Sequence, residues 1–318
     1  MWTHISHYRE LYIGLSWFLV FILLFAIFVA AGFPGSEYDS CFYTTDRHGR
    51  QVASTLDQCW CEAFSKGNIK EPSNTWSNLG FVLAGLVILW RIGRDRTTIA
   101  QRRNRFVSPN DMFYPALLGN IVLFMGPGSM LYHASLKVWA DIVDQTSMFL
   151  FVAFFCSYSA VQLWSALKNL SGYGLSTEGN LVEKVAAGVL FFTYAALQMV
   201  VTRGGGHHGS TMAIGLFVGL AMLLQLTFII VRTFFSSKQF PYEIWGGLSI
   251  LVGAGAFILA VIFHGNEAPN ESNCLPNNSL FNPQSWLQAH ALWQIFSAVM
   301  TFFVYGFFRF ERSATSQG

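Results

Sequence analysis

The sequence predicts an all-α, polytopic membrane helix bundle, and three observations carry that reading. Hydrophobic residues make up 53% of the 318 residues and charged residues only 11%, against about 25% charged in an ordinary soluble domain. The apolar residues fall in long unbroken runs, each near the roughly 20 residues that a helix needs to cross about 30 Å of hydrocarbon. Strands of a transmembrane barrel would read as short alternating segments instead. In lipid every backbone donor and acceptor must pair internally, which makes helices the default.

Eight runs qualify: 11–33, 76–92, 112–134, 139–164, 182–202, 211–235, 244–264 and 286–308. The first, about 23 residues, exceeds the roughly 7–15 residues of a signal-peptide core. Ala30, Ala31 and Gly32 resemble a cleavage site, but the length favours a retained anchor. Orientation follows from Arg91, Arg94, Arg96, Arg102, Arg103 and Arg105 around the loop after the second run, because positive loops stay cytoplasmic. Threading from there places both termini in the cytoplasm. The segment 34–73, the short loop at 204–210 and the segment 265–285 then lie outside. The implied organisation is an N-terminal helix (1–34), an extracytoplasmic segment (35–73), a membrane domain (74–310) and a cytoplasmic tail (311–318). The formal net charge of +2 says little about partners beyond the bilayer. Arginines confined to one short loop, with no soluble domain around them, argue against nucleic acid.

Four of the five cysteines, Cys41, Cys59, Cys61 and Cys274, fall on the outside, where disulfides persist. Cys156 lies mid-span and reads as a small apolar packing residue. Asn270 and Asn277 begin glycosylation sequons in the same outer loop, usable in a eukaryotic secretory pathway.

Polar residues inside the runs carry the functional signal, since ionisable groups there are costly and usually serve a function. The third run ends Met125-Gly-Pro-Gly-Ser-Met-Leu-Tyr-His133. Ser129 and His133 share a helical face, and the glycines permit close helix approach. Packing with an interfacial histidine is the plainer reading of that segment alone. The fourth run opens with Asp141 and Asp144. Asp141 suits a helix N-terminus, whereas Asp144 lies deeper. His290 and Gln294 share a face at the start of the eighth run. His133 and His290 thus sit at similar depth, as a pair of metal ligands or as a hydrogen-bonded pair in a packed bundle. Before the second run stand Trp60, Cys61 and Glu62, then Glu71-Pro-Ser-Asn-Thr-Trp-Ser-Asn78. Ser73 or Asn74 is expected to cap that helix. Glu62 and Glu71 call for a cation, for protons, or for ion pairs with Lys66 and Lys70.

Taken in order, Trp60-Cys-Glu62 with Glu71–Asn78, then Gly128–His133 with Asp144, then His290-Ala-Leu-Trp-Gln294 resemble the signatures of the alkaline ceramidase family. The resemblance covers nearly all of the chain from Trp60 onward. It implies a seven-helix ceramidase-like core, to which the first run is an N-terminal addition, hydrolysing ceramide or a related membrane lipid. It further implies zinc held by His133, His290 and the position of Gln294, with Ser129 near the reacting carbonyl and Asp144 handling protons. Trp60, Glu62 and Glu71 correspond to a calcium site, Cys61 and Cys274 to a disulfide, leaving Cys41 and Cys59 as a second pair. An endoplasmic reticulum or Golgi membrane is the implied location in a eukaryote.

Three positions depart from that pattern. Gln294 stands where the third zinc histidine belongs, Cys59 where the calcium motif has aspartate, and Phe64 where it has asparagine. Glutamine binds zinc more weakly than imidazole. His207, His208 and His264 lie at outer helix ends as substitutes, though each reads more simply as a solvated histidine, and Asp144 is a further ligand candidate. The competing function is a catalytically silent lipid-binding or receptor-like protein, or a hydrolase of another membrane lipid.

Overall fold

The computed structural model describes residues 7–35, 43–45, 51–53, 62, 65, 67–98, 106–107, 112–170, 181–236, 240–265 and 286–312. The helices are α1 (Arg9–Ala31), α2 (Pro72–Ser77), α3 (Leu79–Thr98), α4 (Phe113–Ser135), α5 (Val138–Leu170), α6 (Leu181–Ile230, continued by a π-helical turn Val231–Ser236), α7 (Ile244–Gly265) and α8 (Ala289–Arg309). Eight stretches among them are long and apolar enough to cross a membrane. The sequence reading did not anticipate a small antiparallel hairpin, β1 (Tyr43–Thr45) with β2 (Gln51–Ala53). The cysteines Cys41, Cys59, Cys61 and Cys274, both sequons, Phe64 and Lys66 lie outside the described residues.

Helical pairing runs without a break through α6, although the sequence predicts a loop at 204–210. The chain nevertheless reverses between Tyr194 and Phe217. Tyr194 and Phe217 have ring centroids 5.9 Å apart, whereas a straight helix rising 1.5 Å per residue would separate them by about 35 Å. Both limbs therefore lie along α5. Gln198 reaches the Phe149 carbonyl from the first limb. Cys156 is buried on α5, and its thiol donates to the Phe217 carbonyl on the second. This preserves the expected count of spans.

The helices pack in an arc. α7 lies on α8, α8 on α3, α3 on α4, α4 on α5, and α5 on both limbs of α6, while α1 lies against α3 and α4. Glycines set the closest approach. A Cβ at Gly126 would come within 2.6 Å of Val82 Cγ2 and 2.9 Å of the Asn78 carbonyl oxygen, so α4 touches the α2–α3 backbone there. Gly126→Ala is expected to cost about 1–3 kcal/mol by overpacking, read as a lowered melting temperature in detergent. An unchanged melting point would refute the close approach.

One end of the bundle is clamped by buried polar groups. Asp95 on α3 accepts from Arg309 at 2.7 and 2.8 Å and from Tyr305. Glu311 accepts from Arg232, Gln162 and Tyr158. These contacts satisfy charges that lipid would otherwise penalise. They hold the end of α8 to α3, α5 and α6, away from the histidines at the other end.

Candidate functional site

α4 carries Ser129 and His133, and Pro127 stands just before them inside the helix. Gly128 lets α5 approach, since a Cβ there would meet Ser147 at 3.2 Å. The turn from α4 to α5 is two residues long. Leu136 adopts φ 51°, and its N–H closes on the Tyr132 carbonyl at 2.6 Å. Left-handed backbone costs a leucine roughly 1–2 kcal/mol, offset here by burial against Tyr132 and Ala140. This tight turn brings the first turns of α5, with Asp141 and Asp144, alongside His133.

The start of α2 is drawn to the end of α4 by backbone pairing. Lys70 N–H donates to the Ala134 carbonyl and Glu71 N–H to the His133 carbonyl, at 3.0 and 3.1 Å. Glu71 therefore sits beside His133, and its Oε2 lies 2.6 Å from His133 Nδ1. Across the site α8 supplies His290, whose Nε2 is 2.9 Å from His133 Nε2. Both rings are buried, at 3% and 1% exposure. With Nδ1–H donating to Glu71, a neutral His133 accepts at Nε2, which makes His290 the donor between the rings. Glu71, Glu62 and Asp144 all lie near enough to bias the charge of His133.

One turn beyond His290, Gln294 is fully buried. Its Oε1 accepts the Ser77 hydroxyl, and its Nε2 points at Ser129 Oγ, 3.4 Å away. Asp144, half-buried, interacts with the Ser129 hydroxyl. Asp141 is engaged by Gln145 at 2.9 and 3.0 Å. His264 is exposed at the end of α7 with its ring 5.3 Å from Trp293, outside the imidazole pair. The side chains of His207 and His208 lie outside the described residues.

The expected helix cap is replaced. Ser73 and Asn74 lie inside α2, and the Glu62 carboxylate takes their N–H groups at 2.7 and 2.9 Å. Burial outweighs these two hydrogen bonds and pushes the Glu62 carboxyl up to about 7. A carboxyl raised on folding binds more protons folded than unfolded between about pH 4.5 and 7. Stability therefore falls as pH rises through that window and is flat above it. In chelating buffer, the melting temperature is expected to drop between pH 5 and 7.5, and Glu62→Gln to flatten the slope. An unaltered slope in the variant would refute the assignment.

Two metals are implied, and the residues answer differently for each. For zinc, two imidazole Nε2 atoms converge, and a carboxylate holds the other nitrogen of His133. That carboxylate–histidine arrangement orients metal-binding histidines, so the pair suits zinc as two ligands, while no group of three or more His, Cys, Asp or Glu gathers around a metal position among the described residues. For calcium, Glu62 is spent on α2, and Trp60 lies outside the described residues. Glu71 keeps one oxygen, Oε1, without a hydrogen-bond partner. Calcium takes six to eight oxygen ligands. The described residues do not meet that demand.

Glu71 on His133 and Ser77 on Gln294 escaped the sequence reading. Their partners lie 62 and 217 residues away, and periodicity within one helix carries no signal for either.

A family model described as Ceramidase matches residues 50–317. No curated protein matches the chain.

Proposed function

The chain belongs to the ceramidase family, a family of ceramide-hydrolysing membrane proteins, and on that premise we propose that it is a metal-dependent hydrolase. Its reaction would cleave the amide of ceramide or a related membrane lipid to a sphingoid base and a fatty acid. The observation that carries this reading is the contact between His133 Nε2 and His290 Nε2 at 2.9 Å, with Glu71 on the far nitrogen of His133.

His133 and His290 would hold zinc, with Gln294 or Asp144 as the candidate third ligand. Bound zinc supplies Lewis-acid activation of water and of the amide carbonyl. The protein's own groups divide the remaining work. Glu71 keeps the proton of His133 on Nδ1, which leaves Nε2 as the donor atom. The Ser129 hydroxyl, which donates to Asp144 in the resting site, would turn to the carbonyl oxygen as negative charge develops there and Asp144 takes up a proton, an effect worth a few kcal/mol. Asp144 accepts a proton from the attacking water and returns it to the leaving nitrogen as general base and then general acid. Buried walls around Ser129 and the histidines exclude bulk water, which strengthens each of these interactions. In a eukaryote the reading carries a lumen-facing site in an endoplasmic reticulum or Golgi membrane, with both termini cytoplasmic.

A second reading has one specific observation behind it. The Gln294 oxygen is held by Ser77, which favours a lipid-binding protein that has lost turnover. Metal analysis of the purified protein, paired with assays on ceramides of varied chain length, decides between them. Near-stoichiometric zinc that disappears in His133→Ala, with amide hydrolysis, supports the hydrolase. Absence of any transition metal ends the zinc assignment, and zinc without hydrolysis supports the silent protein.

A further inference from the structure

The helix α1 precedes the family match, which begins at residue 50, yet it is fastened to the bundle along its whole length. At the clamped end, Arg96 forms a bidentate pair with Glu10 at 2.6 and 2.8 Å, and Glu10 is only 6% exposed. Gly93 accommodates the Tyr8 ring, and Gly14 leaves no room for a Cβ, which would meet Leu89 at 2.5 Å and Leu123 at 3.1 Å. At mid-depth Trp17 Nε1–H donates to Asn120 Oδ1 at 3.1 Å. At the histidine end Asn68 donates to the Val29 carbonyl at 2.6 Å, and Trp139 to the Pro34 carbonyl at 2.8 Å. A cleaved leader has no use for glycine-cut grooves and a buried ion pair.

The outer half of α1 bears on the elements that carry the site. Phe25 is buried against Met130 and Ala134 of α4, the neighbours of Ser129 and His133. Its ring also meets Trp76 of α2, centroids 6.2 Å apart, between Glu71 and Ser77. Phe28 packs on Trp139 at the start of α5, two residues before Asp141. We propose that α1 is a resident eighth helix of the bundle whose Phe25–Phe28 stretch positions α2, α4 and the start of α5, holding Glu71, Ser129, His133 and Asp144 in register. Phe25 acts through Met130, Ala134 and Trp76 and touches no reacting atom, so it is a positioning residue.

The inference rests on the proposed function only for its activity readout. The test therefore uses the full-length protein and three measurements. The intact mass of protein purified from a eukaryotic membrane is expected to retain α1, and a mature chain beginning after residue 31 overturns the proposal. Amide hydrogen exchange is expected to quicken roughly tenfold or more over 126–135 in Phe25→Ala, with exchange in the second limb of α6 unchanged. Phe25→Leu is expected to restore wild-type protection. In turnover assays Phe25→Ala is expected to lower kcat about tenfold with little change in KM. Exchange over 126–135 identical to wild type, or quickened equally throughout the bundle, overturns the positioning role. Wild-type protein that hydrolyses no lipid removes the proposed reaction but leaves the mass and exchange measurements to decide this inference.

Discussion

Asp144→Asn is expected to cut lipid-amide turnover by about 100- to 10,000-fold, the range that a positioned general acid–base group contributes. Hydrolysis of this kind moves two protons, one off the attacking water and one onto the leaving nitrogen. A carboxylate beside the reacting centre serves both transfers, and an amide serves neither. The substitution is nearly isosteric, and asparagine keeps an oxygen to accept the Ser129 hydroxyl, so the fold and the imidazole pair should survive. Single-turnover release of fatty acid from ceramide in lipid nanodiscs measures the loss, with zinc content as the control. Zinc retained with turnover lost places Asp144 in the chemistry. Turnover equal to wild type would remove Asp144 from the mechanism and point to contaminating activity. Loss of both zinc and turnover would make Asp144 the third ligand.

The spans were legible in the sequence because lipid leaves one economical solution for a long apolar run, and each run could be read by itself. The shared depth of His133 and His290 was legible for a similar reason. Each lies a fixed number of residues from the end of its own helix, so one topology fixes both heights. Rotation of each helix about its axis is a different matter. It is set by contacts such as Gly126 on the Asn78 carbonyl, which involve two helices at once and leave no mark on the period of either. The sequence reading accordingly offered Glu71 a cation, protons or an ion pair with Lys66 or Lys70, while the structure puts Glu71 on His133. It offered Ser73 or Asn74 as a cap, while Glu62 reaches in from a preceding segment that has no periodicity to read. At 204–210 a glycine-rich stretch predicted a loop, yet backbone pairing stays helical there although the chain reverses between Tyr194 and Phe217.

Gln294→His is expected to raise zinc affinity about 100-fold, a change comparable to the largest effects of groups that tune a metal site from outside its ligands. Positions 290 and 294 are one helical turn apart, so an imidazole at 294 projects from the same face of α8 as His290. The exchange also leaves few polar groups stranded. The Asn74 carbonyl lies 3.0 Å from Ser77 Oγ and can take its proton once the glutamine oxygen is gone, so the hydroxyl is not orphaned. Ser129 loses only a long 3.4 Å contact and keeps Asp144. Zinc titration of chelator-stripped protein, followed by turnover assays, reads the outcome. Affinity and turnover rising together would mean that Gln294 weakens an otherwise competent hydrolase. Tighter zinc with turnover still absent would favour a lipid-binding protein whose deficit lies beyond the metal. Affinity left unchanged would remove residue 294 from the metal site and leave Asp144 as the remaining candidate for the third ligand.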